Sequence, residues 1–265
     1  MNIIVCIKQV PASNKVKFND DTNTIIRESS EAVINPYDLH AVEEAVRIKN
    51  KTGGKITAIS MGIPAVEKLL KKAMAFGIDE SILLSDKAFA GADTLATSYT
   101  LARAIKKYDK FDLIICGKQA TDGDTAQVGP ELAEKLGIPQ LAYIRNIKEI
   151  QEEYITGERK IENKVETFKI YLPALITVTR EINQPGFPSI SGIIRAENKE
   201  VIRWQAEDIN ADKNRIGLDG SPTRVIDTYI PEKNKNQEII KGSAARQAQT
   251  LVDKLESIYK SQFWN

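Results

Sequence analysis

The sequence predicts an α/β fold: a Rossmann-like, doubly wound and mainly parallel sheet, with an antiparallel extension and a C-terminal arm plus helix. Three observations predict it. Short apolar runs in the first half alternate with helical stretches of about 10–15 residues, the pattern of a parallel sheet with right-handed crossovers. Phe111–Cys116 reads as a strand buried on both faces and leads through a polar, glycine-containing turn into the helical Leu132–Gly137. Beyond that point the alternation stops, and strand-like segments follow one another without helices.

Taken in order, Ile3–Ile7 is the first strand, followed by a detour with turn signals at Asn19-Asp20-Asp21. A helix then begins with Asn35 as N-cap and Pro36 at its first position. Leu39, Val42, Ala45 and Val46 keep helical spacing, and Gly53-Gly54 closes it. Lys55–Met61 is the second strand and leads through Gly62-Ile63-Pro64 into a helix ending near Phe76. Ser81–Leu84 is the third strand, with the turn Phe89–Thr97 and a helix to about Lys107 after it. Leu141–Glu149, Lys164–Leu172 and Ala174–Thr179 are the strands of the extension, and the charged Glu152–Glu162 reads as a turn. Ile182–Ser189 is a proline- and glycine-containing loop, Ile190–Ala196 a short helix, and Asp219–Lys241 an extended arm poor in core residues. An amphipathic helix capped by Ser243 ends the chain; such an arm suits embracing another subunit as well as folding back on its own domain. The expected division is a nucleotide-binding domain over 1–200, containing a loop at 183–194, and the arm and helix over 201–265.

Composition excludes several classes. With 265 residues the chain can bury the core of one large domain, and 37 basic against 36 acidic residues leave no net field to attract nucleic acid or an anionic membrane. The Met1–Lys8 start has no basic leader or cleavage site, and no apolar run approaches the ~20 residues that cross a bilayer, so a cytoplasmic location without membrane insertion is expected. Cys6 and Cys116 fall in buried strands as small hydrophobes and give neither disulfide nor metal spacing. His40 is the only histidine and sits in a helical pattern, which excludes multi-histidine metal sites. No GxGxxG, GxxxxGK[ST] or nucleophile elbow is present, and no side-chain catalytic constellation emerges. Redox chemistry, if any, falls to a bound cofactor.

In a doubly wound sheet the ligand lies beyond the carboxyl ends of the strands. Those ends place Val10, Ser60, Met61, Asp93, Thr94 and Thr97 at the expected site, with Asn35 and Asp38 at the start of the first helix. The turn after the fourth strand adds Gly117, Gln119, Asp122, Thr125, Ala126, Gln127, Val128 and Gly129. Backbone N–H groups at Thr94 and near Gln127, and the hydroxyls of Thr94, Thr97 and Thr125, suit a pyrophosphate at helix starts that already carry partial positive charge. Asp38 or Asp122 suits a ribose hydroxyl or an adenine amino group. Asp93 and Asp124 equally suit helix N-caps.

Several blocks in this order resemble the β subunit of electron-transfer flavoproteins: Val5–Val10, Asn35–Asp38 with Ala41–Val46, Phe89–Thr97, Gly117–Ala120 with Asp124–Gly129, and Leu172–Val178. The resemblance implies a heterodimer with an α subunit that carries an electron-transferring FAD. It also implies a nucleotide in this chain, FAD in the electron-bifurcating type and structural AMP in simple carriers. The stretches Ala90–Thr97 and Asp122–Pro130 resemble the bifurcating type, which implies NADH as donor, ferredoxin or flavodoxin as one acceptor, and an FAD-dependent dehydrogenase reached through the α-subunit flavin. The loop at 183–194 is similar to the family's recognition loop for that dehydrogenase, with Phe187 and Ile190 as partner-binding residues; isoleucine stands where the family usually has leucine. A free-standing adenine-nucleotide regulatory module is the reading from another class, and the loop and arm argue against it.

Overall fold

The computed structural model describes residues 1–12, 17–19, 24–26, 32–108, 110–224, 226 and 238–263. Two compact units divide it, Met1–Arg224 and Val225–Asn265. In chain order the first unit holds β1 (Asn2–Cys6), β2 (Gln9–Pro11), β3 (Lys17–Asn19), β4 (Thr24–Ile26), β5 (Ala32–Ile34), α1 (Pro36–Thr52), β6 (Lys55–Met61), α2 (Val66–Ala75) and β7 (Glu80–Leu84). It continues with α3 (Thr94–Tyr108), β8 (Leu113–Gly117), α4 (Val128–Leu136), β9 (Gln140–Ile150), β10 (Tyr154–Ile161), β11 (Lys164–Tyr171), β12 (Ala174–Val178), α5 (Ile190–Glu197) and β13 (Ile202–Trp204).

One sheet of nine strands organises this unit, in the order β11-β10-β9-β12-β8-β1-β6-β7-β13. From β9 to β13 all neighbours run parallel, while β10 is antiparallel to β9 and β11. The expected Rossmann-like architecture with its antiparallel extension is therefore present. The chain leaves β1 toward β6 and β7, then returns through α3 to β8 on the other side of β1. Connections diverge between β1 and β8, the switch point at which open α/β sheets bind ligands.

Alternation along the strands builds two cores. Ile3, Val5, Ile56, Ala58, Ile115 and Ile176 face one way with Val42, Ala45 and Ile48 of α1 and Leu69 and Leu70 of α2. Ile4, Ile59, Ile82, Ile114 and Leu175 face the other way with Leu101 and Ile105 of α3 and Leu132 of α4. Each fully buried Ile or Leu contributes roughly 1.5–3 kcal/mol. Cys6 and Cys116 pair in register across β1 and β8, both buried and unbridged, as small core residues.

The structure corrects one segment. Glu152–Glu162, expected as a turn, contains the eight-residue strand β10. Its charges mask a strand whose core face carries Ile155 and Gly157 and whose ionic groups find partners on neighbouring strands. Lys148 pairs with Glu158 at 2.6 Å and Arg159 with Glu166 at 3.0 Å. The turn itself is the two-residue Glu162-Asn163, where Glu162 has φ 51°.

Beyond residue 200 the chain still belongs to the first unit: β13 pairs with β7, Arg103 and Lys107 donate to the carbonyls of Ile209 and Asp208, and Arg215 stacks on Tyr99. Of the expected arm, residues 225 and 227–237 lie outside the described residues, as do Asp20 and Asp21 of the early detour. The second unit holds α6 (Ala244–Phe263), directly after Ser243, with Leu251, Leu255 and Ile258 at helical spacing. Among the described residues no helix is long and apolar enough to cross a membrane.

Candidate functional site

The loops that leave β1 and β8 face each other across the switch point, and α1 starts between them. Asn35 precedes α1 and is 1% exposed, yet its side chain does not cap the helix. It reaches across instead: Nδ2 donates to the Gln119 carbonyl at 2.8 Å and Oδ1 accepts from the Thr121 N–H at 3.2 Å. Asp38, one turn on, is buried and accepts from the Lys8 N–H at 2.7 Å. Burial pushes its carboxyl up to about 7, against the pull of hydrogen bonds from Lys8, Asn35 and Gly117 and of the Lys8 charge. Gly117 is required here, because a Cβ would meet Asp38 Oδ1 and lie 2.7 Å from Tyr37 Cβ. Above this buried layer Lys8 Nζ spans the crevice to both carboxylate oxygens of Asp122, at 2.7 and 2.8 Å.

The loop between β8 and α4 is tightly wound. Asp124 and Ala126 have φ 51° and 56°, a left-handed conformation that costs roughly 1–2 kcal/mol for a residue with a Cβ. Asp124 accepts from Gln119 Nε2 at 2.6 Å and so does not cap α4; that position falls to Gln127, at φ −101°, ψ −33°. A left-handed residue followed by a right-handed one turns successive N–H groups into one concavity, and here it opens α4, where the helix dipole adds to it. Among the described residues the N–H groups of Ala126, Gln127 and Val128 have no protein acceptor. Gly129 lets α4 lie on the sheet, since a Cβ would stand 2.6 Å from Thr177 Cγ2.

α3 starts beside α4. Asp93 caps it, accepting from the Ala96 N–H at 3.0 Å, and also binds Thr223. Thr94 Oγ1 donates to Glu131 Oε1 at 3.1 Å and lies 3.3 Å from Gln127 Oε1, while Ser98 donates to Glu131 Oε2 at 3.0 Å. The Thr94 hydroxyl is thus engaged between the two helix starts. Thr97 stands one turn into α3, half-buried, and Thr125 is exposed on the α4 loop. Ser60 is buried near the end of β6 beside the half-buried Met61, and its hydroxyl has no partner among the described residues. Val10 is a core residue of the small β2–β5 ladder, opposite Val33.

Of the residues expected from the sequence, Asn35, Asp38, Gly117, Gln119 and Asp122 are brought together at the switch point, and Thr94, Gln127, Val128 and Gly129 at the paired helix starts. Lys8, Glu131 and Ser98 complete the constellation and are not among the expected site residues, although Lys8 and Glu131 fall in the expected strand end and turn. Lys8 lies in the block Val5–Val10 that carries the resemblance, but its partner is 114 residues away. Phe187 and Ile190 belong to a separate surface, where they are 98% and 79% exposed. Among the described residues no cluster of histidine, cysteine or carboxylates suits a metal.

A mainly parallel sheet with a polar loop and two helix starts at its switch point defines a Rossmann-like α/β protein. Comparison with known proteins narrows it: the profile of the electron transfer flavoprotein domain matches residues 22–209. Along 97% of this chain and 98% of its own length, the electron transfer flavoprotein subunit beta of Thermoanaerobacterium thermosaccharolyticum is 47% identical. Subunit CarD of the caffeyl-CoA reductase-Etf complex of Acetobacterium woodii is 41% identical over the same shares. Protein FixA of Bradyrhizobium diazoefficiens is 42% identical over 96% of this chain and 90% of its own. The chain belongs to the electron transfer flavoprotein family, on its β-subunit side, whose members pair with an α subunit in electron transfer.

Proposed function

We propose that this β subunit binds FAD at the switch-point cradle and serves electron bifurcation. NADH is the donor, ferredoxin or flavodoxin one acceptor, and an FAD-dependent dehydrogenase, reached through the α-subunit FAD, the other. One observation carries the nucleotide part: among the described residues the successive N–H groups of Ala126, Gln127 and Val128 have no protein acceptor, and they open a helix whose start carries a positive dipole. These groups fit a phosphate, and the exposed Asp122 and Thr125 of the same loop offer an acceptor and a donor. Bound FAD would supply hydride acceptance and one-electron transfer.

The chain's own residues bind and orient. The buried layer of Asn35, Asp38 and Gly117 fixes the loops on both sides of the crevice, so the backbone donors meet the ligand in a set geometry. The Lys8–Asp122 pair bounds the crevice toward solvent. Small residues at Gly91, Ala92, Gly123 and Ala126 support room for a dinucleotide, the feature that resembles bifurcating subunits. Exposed Phe187 and Ile190 support docking of the dehydrogenase on the 183–194 loop, and α6 is proposed to pack on the α subunit. We place the protein in the cytoplasm.

Anaerobic titration of the purified heterodimer with NADH tests this reading. Reduction of two flavins, with ferredoxin reduced only while the dehydrogenase turns over, is expected. A heterodimer whose flavin ignores NADH sinks it in favour of a simple carrier holding AMP.

A further inference from the structure

Helix α1 touches both surfaces within two turns. Its start closes the cradle through Asn35 and Asp38, which hold the backbones of Gln119, Thr121 and Lys8. Immediately after, His40, Glu43 and Glu44 hold the base of the 183–189 loop. Asn183 Nδ2 donates to the His40 carbonyl at 3.0 Å and to Glu44 Oε2 at 2.9 Å. With both Nδ2 hydrogens on acceptors, Asn183 Oδ1 receives the proton of His40 Nδ1 at 2.9 Å, and every polar atom of the amide is used. The Gly186 N–H donates to Glu43 Oε2 at 3.1 Å, next to the exposed Phe187. Glu44 is itself buried, so releasing Asn183 would leave its carboxylate without the amide donor, with Arg47 at 4.0 Å as its one ion-pair partner among the described residues.

We propose that Asn183 joins the docking loop to the nucleotide cradle through α1 as one cooperative unit, so that nucleotide occupancy controls how firmly the loop is held. The inference rests on the cradle being the nucleotide site. Asn183 acts here as a positioning residue and touches neither ligand. Local openings occur in contiguous cooperative units, and a ligand that binds only the closed form suppresses every opening that breaks its site. At a ligand concentration of ~100 Kd that suppression is roughly 100-fold for each amide in the unit. An amide that opens independently does not respond.

Amide-resolved hydrogen exchange on the full-length chain, with AMP and separately with FAD at ~100 Kd, tests the proposal. The Lys8 and Thr121 amides report the cradle, and the Gly186 amide reports the loop. The expected result is slowing of all three by a common factor of up to about 100. In Asn183→Ala, Lys8 and Thr121 still slow, whereas Gly186 no longer responds. Asn183→Asp keeps the acceptor for His40 but loses both donors, and the same loss of response is expected should the alanine variant fail to fold. Slowed Lys8 and Thr121 beside an unresponsive Gly186 in the unsubstituted chain overturns the coupling and leaves the cradle standing. No response at Lys8 and Thr121 overturns both.

Discussion

Replacing Asp38 by asparagine removes a buried ionisable group from the centre of the site, and the consequence can be worked out with its sign. Burial raises the folded-state value of this carboxyl from 3.8 to about 7. A raised folded value means that the native state holds the proton more tightly than the unfolded chain. The associated stability is therefore complete below pH 3.8 and is lost as pH rises through about 7. At 1.36 kcal/mol for each pH unit between the two values, the loss is about 4 kcal/mol. Asp86 and Glu158 act in the opposite direction and are common to both proteins. Backbone donors at Ala88 and Ala206 hold the first below its ordinary range, and Asn146 and Lys148 the second, so their contributions are lost on acidification below the usual carboxylate values. Glu44, raised by burial, acts in the same direction as Asp38 but is common to both proteins. Urea unfolding of the parent chain and of Asp38→Asn, in steps from pH 4 to 8, isolates the one group. The difference in stability is expected to shift by about 4 kcal/mol across that range, toward the variant at high pH. Parallel curves would refute the reasoning, since they would mean that Asp38 ionises in the fold as it does in the unfolded chain.

Other substitutions probe the cradle and the loop separately. Gly117→Ala drives a Cβ into Tyr37 and Asp38 and is expected to cost about 1–3 kcal/mol by calorimetry, with loss of nucleotide from the same preparation. Ala126→Gly relieves a left-handed residue worth roughly 1–2 kcal/mol against ~0.5–1 kcal/mol of added chain entropy, so a Tm rise of a degree or two is expected. Asp122→Asn breaks an exposed pair and should change stability by less than ~1 kcal/mol while shifting nucleotide affinity, read by titration calorimetry. Phe187→Ala and Ile190→Ala should leave Tm within ~0.5 kcal/mol of the parent, yet weaken dehydrogenase coupling by more than ~1 kcal/mol, seen as a raised KM for the heterodimer.

The parallel half of the fold was legible because each strand is a short apolar run and each helix has a written start or stop, such as Asn35-Pro36 or Gly53-Gly54. The β10 strand was not, because its charges belong to cross-strand pairs that exist only once β9 and β11 lie beside it. A two-residue turn at Glu162-Asn163 was the available signal. At the site, the glycines and hydroxyls of 117–129 were legible as a polar turn between a strand and a helix. What the sequence hid was pairing: that Asn35 spends its amide on the opposite loop, that Asp38 is buried beneath the crevice, and that Thr94 answers to Glu131. Each of these joins residues 30 to 86 positions apart, and no local spacing encodes it. His40 read as an ordinary helix residue, and only the fold shows it holding Asn183, 143 positions on.

Counting nucleotides tests the central claim most directly. The chain, coexpressed with its α subunit and purified, is denatured and its released nucleotides are quantified against protein. Two FAD per heterodimer, falling to one in Gly117→Ala with the α-bound flavin retained, is the predicted result. One FAD and one AMP, or equal loss of both flavins in the variant, would contradict it.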